Sequence, residues 1–224
     1  MKTLALFDFD GTLFTQDTIP FLLRRWKELG YPRHRLSVIY LQIIWKYLRQ
    51  KWGLFGYSNE QFRRDAMRLF VRLLKGMNAA EVDQYFRRSA EMVQEHLNQN
   101  VVDALLEEKR RGHEVVIVSG GFQCLLEHGL EDLPLDRLIG TAVPFRSDGR
   151  VDLTASLQVV TGEEKSRRVL EHYEHQPVDW ERSSAYGDSG SDIALLSLVG
   201  RPVAVRPDRI LEEHARKRGW ETIR

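Results

Sequence analysis

A short apolar segment that runs into two closely spaced carboxylates constrains this chain more than any other feature. Residues 4–7 are apolar, Asp8 and Asp10 follow them, and Gly11 comes directly after. Side chains alternate along a strand, so Asp8 and Asp10 point the same way, and Gly11 lets backbone approach whatever they hold. Two carboxylates this close are unfavourable unless a cation or a proton lies between them. An isolated pair is often only a strand end in a polar loop, so other segments must decide.

A second acidic strand end lies near the carboxyl terminus. Residues 184–187 run from small apolar side chains into Asp188, and Asp192 follows four positions later, just before a helical segment. Across a strand-to-helix turn, both carboxylates can face one point above the sheet.

Groups that suit an anion lie between the two acidic segments. An apolar strand over 114–118 is followed by Ser119 and Gly120, and Lys165 begins a later helix. Carboxylates for a divalent metal, with a hydroxyl, backbone amides and an ammonium for an anion, are the groups that phosphoryl transfer needs.

With these residues the sequence resembles the haloacid dehalogenase superfamily of phosphatases, and within it the phosphoserine-phosphatase-like subfamily IB. The D-x-D-G-T, strand-Ser, Lys and G-D-x-x-x-D elements of that family all have matches here. The resemblance implies a doubly wound, mostly parallel α/β sheet with the active site at the carboxyl ends of its strands. It also implies a helical cap over 15–89, inserted into a catalytic core of 1–14 and 90–224.

The resemblance assigns a role to each acidic residue at the strand ends. Asp8 is implied to be the nucleophile that forms an aspartyl-phosphate. Asp10 is implied to protonate the leaving alcohol and then to activate water, while its backbone carbonyl binds the metal. Asp188 would complete the protein ligands of the metal, and oxygen-only ligands favour Mg²⁺. Asp192 is expected to orient a metal-bound water or Lys165 rather than to bind the metal.

The remaining expected site residues meet the phosphate or the substrate. Ser119, the Gly120 amide and Lys165 would hold phosphate oxygens, with Lys109 as the competing lysine. Ser191 stands where relatives often carry Asn, and a substrate contact is expected there.

Asp17 has two interpretations. It follows Asp8 by nine positions, where phosphoserine phosphatases place an acidic residue that recognises the substrate ammonium. It also precedes Thr18, Ile19 and Pro20, a pattern typical of a plain helix N-cap. Both interpretations stay open.

Helical periodicity predicts four helices in the inserted segment, beginning near residues 18, 35, 58 and 78. The second, Arg35–Trp45, is apolar nearly all round, and such a helix is expected to be buried in its own bundle. The alternative is that this helix, with Trp45, Trp52 and Phe55 beside basic residues, lies on an anionic membrane. Beyond residue 100 the pattern predicts helices over 101–111, 165–173 and 208–218, strands over 114–118, 184–187 and 202–205, and a β-hairpin over 137–153.

Composition and charge limit the kinds of site and the cellular location that are expected for this chain. The single cysteine, Cys124, excludes an internal disulfide and a Cys-based zinc cluster. The sequence shows no signal peptide and no apolar run of about 20 residues, so a cytoplasmic location is expected. Residues 15–88 carry 15 Lys and Arg against 6 Asp and Glu, whereas the rest carries 18 against 26. This basic segment either attracts an anionic substrate or is simply solvated.

The leading functional hypothesis is a Mg²⁺-dependent phosphomonoesterase that acts on a small amino-alcohol phosphate, such as phosphoserine or histidinol phosphate. The alternatives are a lipid phosphatase of the phosphatidylglycerophosphate type and a non-catalytic phosphate-sensing module. No nucleic-acid partner is expected, membrane contact is not favoured, and the sequence leaves the oligomeric state open.

Overall fold

One parallel sheet organises the computed structural model, which describes residues 1–51 and 59–224. Its strands are β1 (Leu4–Phe7), β2 (Glu114–Phe122), β3 (Arg137–Thr141), β4 (Ser184–Gly187), β5 (Arg201–Val205) and β6 (Glu221–Ile223). Their order across the sheet is β3-β2-β1-β4-β5-β6, and every neighbouring pair is parallel.

Helices cover both faces of this sheet. They are α1 (Thr18–Glu28), α2 (Arg33–Lys51), α3 (Asn59–Leu73), α4 (Ala79–Ala90), α5 (Gln99–Arg110), α6 (Gln123–Gly129), α7 (Glu163–Tyr173), α8 (Ile193–Leu196) and α9 (Arg209–Arg218). Ala5 and Phe7 of β1 belong to a core cluster with α1–α6, whereas Leu4 and Leu6 belong to a second cluster with α7–α9. This alternation is why the central strand is apolar at every position. The doubly wound α/β fold predicted from the sequence is confirmed.

The first four helices lie between β1 and β2 and are held above the carboxyl end of β2. The ring of Phe122 lies 5.2 Å from the ring centroids of both Phe70 on α3 and Phe86 on α4. Asn78 and Glu81 form a reciprocal capping box at the start of α4. These contacts bring the inserted helices next to the strand ends where the carboxylates were predicted to lie.

The predicted burial of α2 is wrong for most of its described side chains. Leu36 and Ile39 are buried, but Leu41 is 71% exposed and Trp45 is 58% exposed. The helix contacts α1 and α3 through one face, so its opposite face meets solvent despite its apolar side chains. Three positions used in the sequence prediction lie outside the described residues: Trp52, Phe55 and Ser58. Within the ranges described, no helix combines the length and apolar character that crossing a membrane requires.

The carboxyl-terminal half differs from the prediction in two places. The hairpin predicted over 137–153 is confirmed only around its turn, where Phe145 and Val151 form an antiparallel bridge; its first arm is wrong, because Arg137–Thr141 pairs in parallel with β2. Strand β6 lies beyond the last predicted element, the helix over 208–218, and it pairs with β5. Whether such a segment forms a strand depends on a partner strand that the local sequence does not identify.

Candidate active site

Three neighbouring strands carry the predicted site residues to one edge of the sheet. Asp8 follows β1, Ser119 lies in β2, and Asp188 follows β4. The Asp8 backbone N–H donates to the carbonyl of Tyr186 at 2.9 Å, so Asp8 continues the β1 pairing by one residue. The parallel topology therefore brings these three side chains together.

Gly11 lets the loop after β1 approach Asp188. Its φ is +77°, and a Cβ atom at this position would lie 2.3 Å from Asp188 Oδ2. Any other residue would be strained and would also collide with the carboxylate. The adjacent Thr12 is buried, and its hydroxyl donates to Asp188 Oδ1 over 3.5 Å.

Lys165 lies in the centre of the acidic cluster. Its Nζ is 2.6 Å from Asp8 Oδ1 and 2.6 Å from Asp192 Oδ1, and all three side chains are buried. Lys165 occupies the first turn of α7, which points it at the strand ends. The competing Lys109 instead pairs with Asp136, which accepts the Val115 N–H at the beginning of β2. Lys109 therefore lies at the opposite edge of the sheet.

The acidic cluster suits a divalent cation. One carboxylate oxygen from each of Asp8, Asp188 and Asp192 lies within 4.8 Å of the others. Asp8 Oδ2 is buried and has no hydrogen-bond partner. Oxygen ligands and an unpartnered buried carboxylate oxygen match what Mg²⁺ requires. Asp192 also accepts the backbone N–H and the hydroxyl of Ser189, at 3.1 and 2.9 Å, so it holds Lys165 from a fixed position.

Burial perturbs the titration of this cluster. The pKa of Asp188 is raised to about 9, first by burial and then by the charges of Asp8 and Asp192. Burial also raises the pKa of Asp8, although the Lys165 ammonium opposes the shift. For Lys165, burial alone would lower the pKa, but Asp192 and Asp8 outweigh it and raise the pKa. The cluster therefore contains more carboxyl groups than one lysine can keep ionised, and a bound cation would take the place of the protons that they otherwise hold.

Asp10 has a separate environment beside the cluster. Its Oδ1 accepts the hydroxyl of Thr18 at 2.5 Å and the Thr18 backbone N–H at 3.1 Å. Burial raises its pKa to about 7, and the Thr18 hydrogen bond only partly opposes this. A carboxyl group with a pKa near neutrality can both give and take a proton, as an acid–base group must. The contact between Thr18 and Asp10 was not predicted from the sequence, because it depends on the direction in which α1 begins relative to the sheet.

A cavity of about 490 Å³ opens from the strand ends towards α1, α2 and α3. Asp8, Asp10, Ser119, Gly120 and Lys165 all line it. Ser119 accepts the N–H of Gly121 at 2.9 Å, which leaves its own O–H available to donate.

The two substrate residues expected from the sequence differ in position. Asp17 lines the cavity, and although it occupies the N-cap position of α1, its side chain makes no capping hydrogen bond. Ser191 lies apart from the cavity lining and hydrogen-bonds with Ser189 at 2.8 Å.

Arg63 and Thr161 are cavity residues with polar groups near the site that the sequence did not reveal. Arg63 on α3 faces the acidic cluster. Burial alone would lower the pKa of its guanidinium, but attraction from Asp8, Asp10 and the other site carboxylates outweighs burial, so the pKa is raised. Nothing in the local sequence distinguishes Arg63 from neighbouring arginines. Thr161 has a buried hydroxyl without a hydrogen-bond partner in the cavity wall. It precedes Gly162 and Lys165, and that proximity was the only signal available.

Comparisons with known proteins agree with this geometry. A family model described as haloacid dehalogenase-like hydrolase matches residues 5–197. The "Inhibition of morphological differentiation protein" of Streptomyces azureus is 28% identical over 227 residues, which cover 99% of this chain and 78% of that protein. A histidinol-phosphatase of Neisseria meningitidis serogroup C is 24% identical over 229 residues, covering 100% of this chain and 99% of that one. A solved substrate-bound phosphoserine phosphatase complex is similar with a TM-score of 0.67 at 23% identity, covering 100% of this chain and 93% of that one, which shows a shared fold.

Proposed function

The chain belongs to the haloacid dehalogenase-like hydrolase family as a phosphoserine-phosphatase-like phosphatase, and from that premise we propose that it is a Mg²⁺-dependent phosphomonoesterase. We propose that it hydrolyses a small amino-alcohol phosphate through an aspartyl-phosphate on Asp8. The observation that carries this proposal is the convergence of Asp8, Lys165, Asp188 and Asp192 in one cluster, from which Asp8 and Lys165 reach the cavity wall.

Asp8, Asp188 and the backbone carbonyl of Asp10 would hold the cation. When bound, Mg²⁺ neutralises the negative charge that otherwise repels a phosphate from a carboxylate nucleophile. The unpartnered Oδ2 of Asp8 and the raised pKa of Asp188 both support a cation at this position.

The side chains then divide the reaction into two displacements. Asp8 attacks phosphorus, the ester P–O bond breaks, and Asp10 gives its proton to the departing alkoxide. Asp10 next takes a proton from water, which attacks phosphorus, and the bond to Asp8 breaks to release inorganic phosphate. The Thr18 hydrogen bonds hold Asp10 for both steps.

Lys165, Ser119 and the Gly120 amide would bind the phosphate oxygens, and the unpartnered hydroxyl of Thr161 offers one more donor. Preformed donors in a buried site stabilise developing charge better than water does, because they need no reorganisation. Lys165 is already held between Asp8 and Asp192, which supports this role.

We also propose that residues 15–89 form a cap over a core of 1–14 and 90–224. The inserted helices contribute Asp17, Arg63 and the far wall of the cavity, so substrate would be enclosed between the two parts. Enclosure excludes water until the aspartyl-phosphate has formed. It also favours a small substrate over a phosphoprotein.

An ammonium group on the substrate is supported by Asp17. Its carboxylate lines the cavity without capping α1, which leaves it available for a charge-assisted hydrogen bond. Arg63 places a positive charge in the same cavity and can contact the phosphate or another anionic group of the substrate.

Phosphate release from an aryl phosphate tests the chemistry. We expect activity with Mg²⁺, none in excess chelator, and inhibition by Ca²⁺, since Ca²⁺ takes more ligands at longer distances and would draw both Asp8 oxygens away from attack. Full activity in chelator, or equal rates with both metals, would remove the metal roles of Asp8 and Asp188. Phosphate binding without any turnover would favour the phosphate-sensing alternative.

One observation favours a second candidate, a lipid phosphatase. Leu41 and Trp45 expose apolar surface on α2, and Arg35 and Lys46 lie on the same helix. An apolar helix face with basic residues can lie on an anionic membrane. Sedimentation with anionic liposomes separates the two candidates: the lipid enzyme should pellet with them, and the metabolite enzyme should stay in the supernatant.

A further inference from the structure

The cavity above the strand ends has two chemically different ends. Among the residues that the structure describes, the charged side chains that line it are Asp8, Asp10, Asp17, Arg63 and Lys165. Lys165 contacts Asp8, Arg63 acts electrostatically on Asp8 and Asp10, and Asp17 acts on Asp10, so these charges lie near the carboxylates at the strand ends. The far wall is formed mainly by apolar and aromatic side chains: Tyr40, Ile43, Ile44, Tyr47, Phe62 and Met67.

Helix α2 shows this division most clearly. Among the α2 side chains that the structure describes, residues 33–48, four line the cavity and none of these four is charged, although Lys46 lies between two of them in sequence. Tyr40, Ile44 and Tyr47 remain 39%, 50% and 48% exposed. The rings of Tyr47 and Phe62 meet edge to face, with centroids 6.0 Å apart and planes inclined by 62°. This wall offers water an apolar surface that a ligand in the cavity would cover.

We propose that the alcohol part of the substrate carries an apolar aliphatic or aromatic group of several carbons, which lies against α2 and Phe62. This inference rests on the proposed function and narrows its substrate class. The cavity volume of about 490 Å³ falls within the range of pockets that enclose whole organic ligands. A substrate with only charged groups beyond the phosphate, such as phosphoserine, would leave the α2 wall uncovered.

A series of unbranched alkyl phosphates tests the proposal directly. Ethyl, butyl and hexyl phosphate release alcohols of nearly equal acidity, so differences in kcat/KM report binding of the chain rather than the chemical step. We expect kcat/KM to rise from ethyl to hexyl phosphate, by about fourfold for each methylene that enters the cavity. Equal kcat/KM values across the series would overturn the inference while leaving the phosphatase proposal intact. Absence of phosphate release from all of them and from an aryl phosphate would instead overturn the proposed function, and this inference with it.

Two serine substitutions on the same helix locate the effect. Ile44 lines the cavity and Leu41 does not, yet both are aliphatic and at least half exposed, so neither change removes buried core. Ile44→Ser should lower the ratio of kcat/KM for hexyl to ethyl phosphate by about tenfold, the equivalent of losing most of one buried aliphatic side chain. Leu41→Ser should keep the wild-type ratio. Ile44→Trp, whose larger side chain would fill the space that the alkyl chain needs, should also lower the ratio of kcat/KM for hexyl to ethyl phosphate. Equal ratios in the wild type and both Ile44 variants would overturn the assignment of this wall.

Discussion

Replacing Lys165 by Met tests how far the buried ammonium that contacts Asp8 and Asp192 stabilises the acidic cluster. The methionine side chain has nearly the same length but no charge. In the native protein the ammonium lies 2.6 Å from both Asp8 and Asp192, and all three groups are buried. Its removal leaves two carboxylates in a low-dielectric site without the cation that contacts both of them.

The expected loss of stability follows from this burial. Removing one partner of a buried ion pair costs about 3–5 kcal/mol, because the remaining charge is uncompensated. For chains of 150–250 residues, 1 kcal/mol shifts Tm by about 2–4 °C, so Lys165→Met should lower Tm by about 6–20 °C. The measurement is thermal unfolding in chelator at neutral pH, where a divalent cation cannot replace the ammonium. Because the carboxylates can take up protons, the loss should shrink at pH 5.

Lys109→Met is the matched control. Lys109 also lies 2.6 Å from a carboxylate, that of Asp136, but the two side chains are 35% and 34% exposed. An ion pair with this much solvent contributes about 0–1 kcal/mol, so Tm should fall by no more than about 4 °C. Phosphatase activity should fall by about 10²–10³ for Lys165→Met, as expected when a preformed charge is removed from an active site. Equal Tm losses for the two variants would refute the reasoning, since distance would then matter and burial would not.

Three further predictions concern the carboxylates. Asp8→Asn should abolish turnover, with a loss beyond the roughly 10²–10⁴ that removal of an acid–base group alone causes; a phosphate-release assay that finds more than a few per cent of wild-type activity would contradict the covalent mechanism. Asp17→Asn should weaken kcat/KM for an amino-alcohol phosphate by about 1–3 kcal/mol and hardly affect an aryl phosphate; equal losses on the two substrates would assign Asp17 a purely structural role. In chelator, the pKa values of about 7 for Asp10 and about 9 for Asp188 exceed the unfolded value of about 3.9. The folded protein then binds more protons than the unfolded chain, so the free energy of unfolding should fall as pH rises from about 4 to about 9. Urea unfolding measures this slope, Mg²⁺ should reduce it, and a stability that rises over the same range would contradict the shifts.

The sequence by itself determined the central strand and the groups at its end. Leu4–Phe7 is apolar at every position because helices cover both faces of the sheet, and Asp8 and Asp10 follow where that burial ends. Such signals are local, since they depend on strand periodicity and on a glycine at Gly11 that nothing else can replace. Parallel topology then brings separate strand ends to one edge without further information.

Only the tertiary structure decided which groups complete the cavity. Arg63 resembles neighbouring arginines in sequence, and it meets the acidic cluster only because of how α3 lies above β2. Thr18 reaches Asp10 only because of the direction in which α1 begins relative to the sheet. Burial of α2 was predicted wrongly from its apolar composition, because composition does not say how many faces of a helix find partners. These features depend on how separate elements pack, and packing is a property of residue pairs distant in sequence rather than of any local pattern.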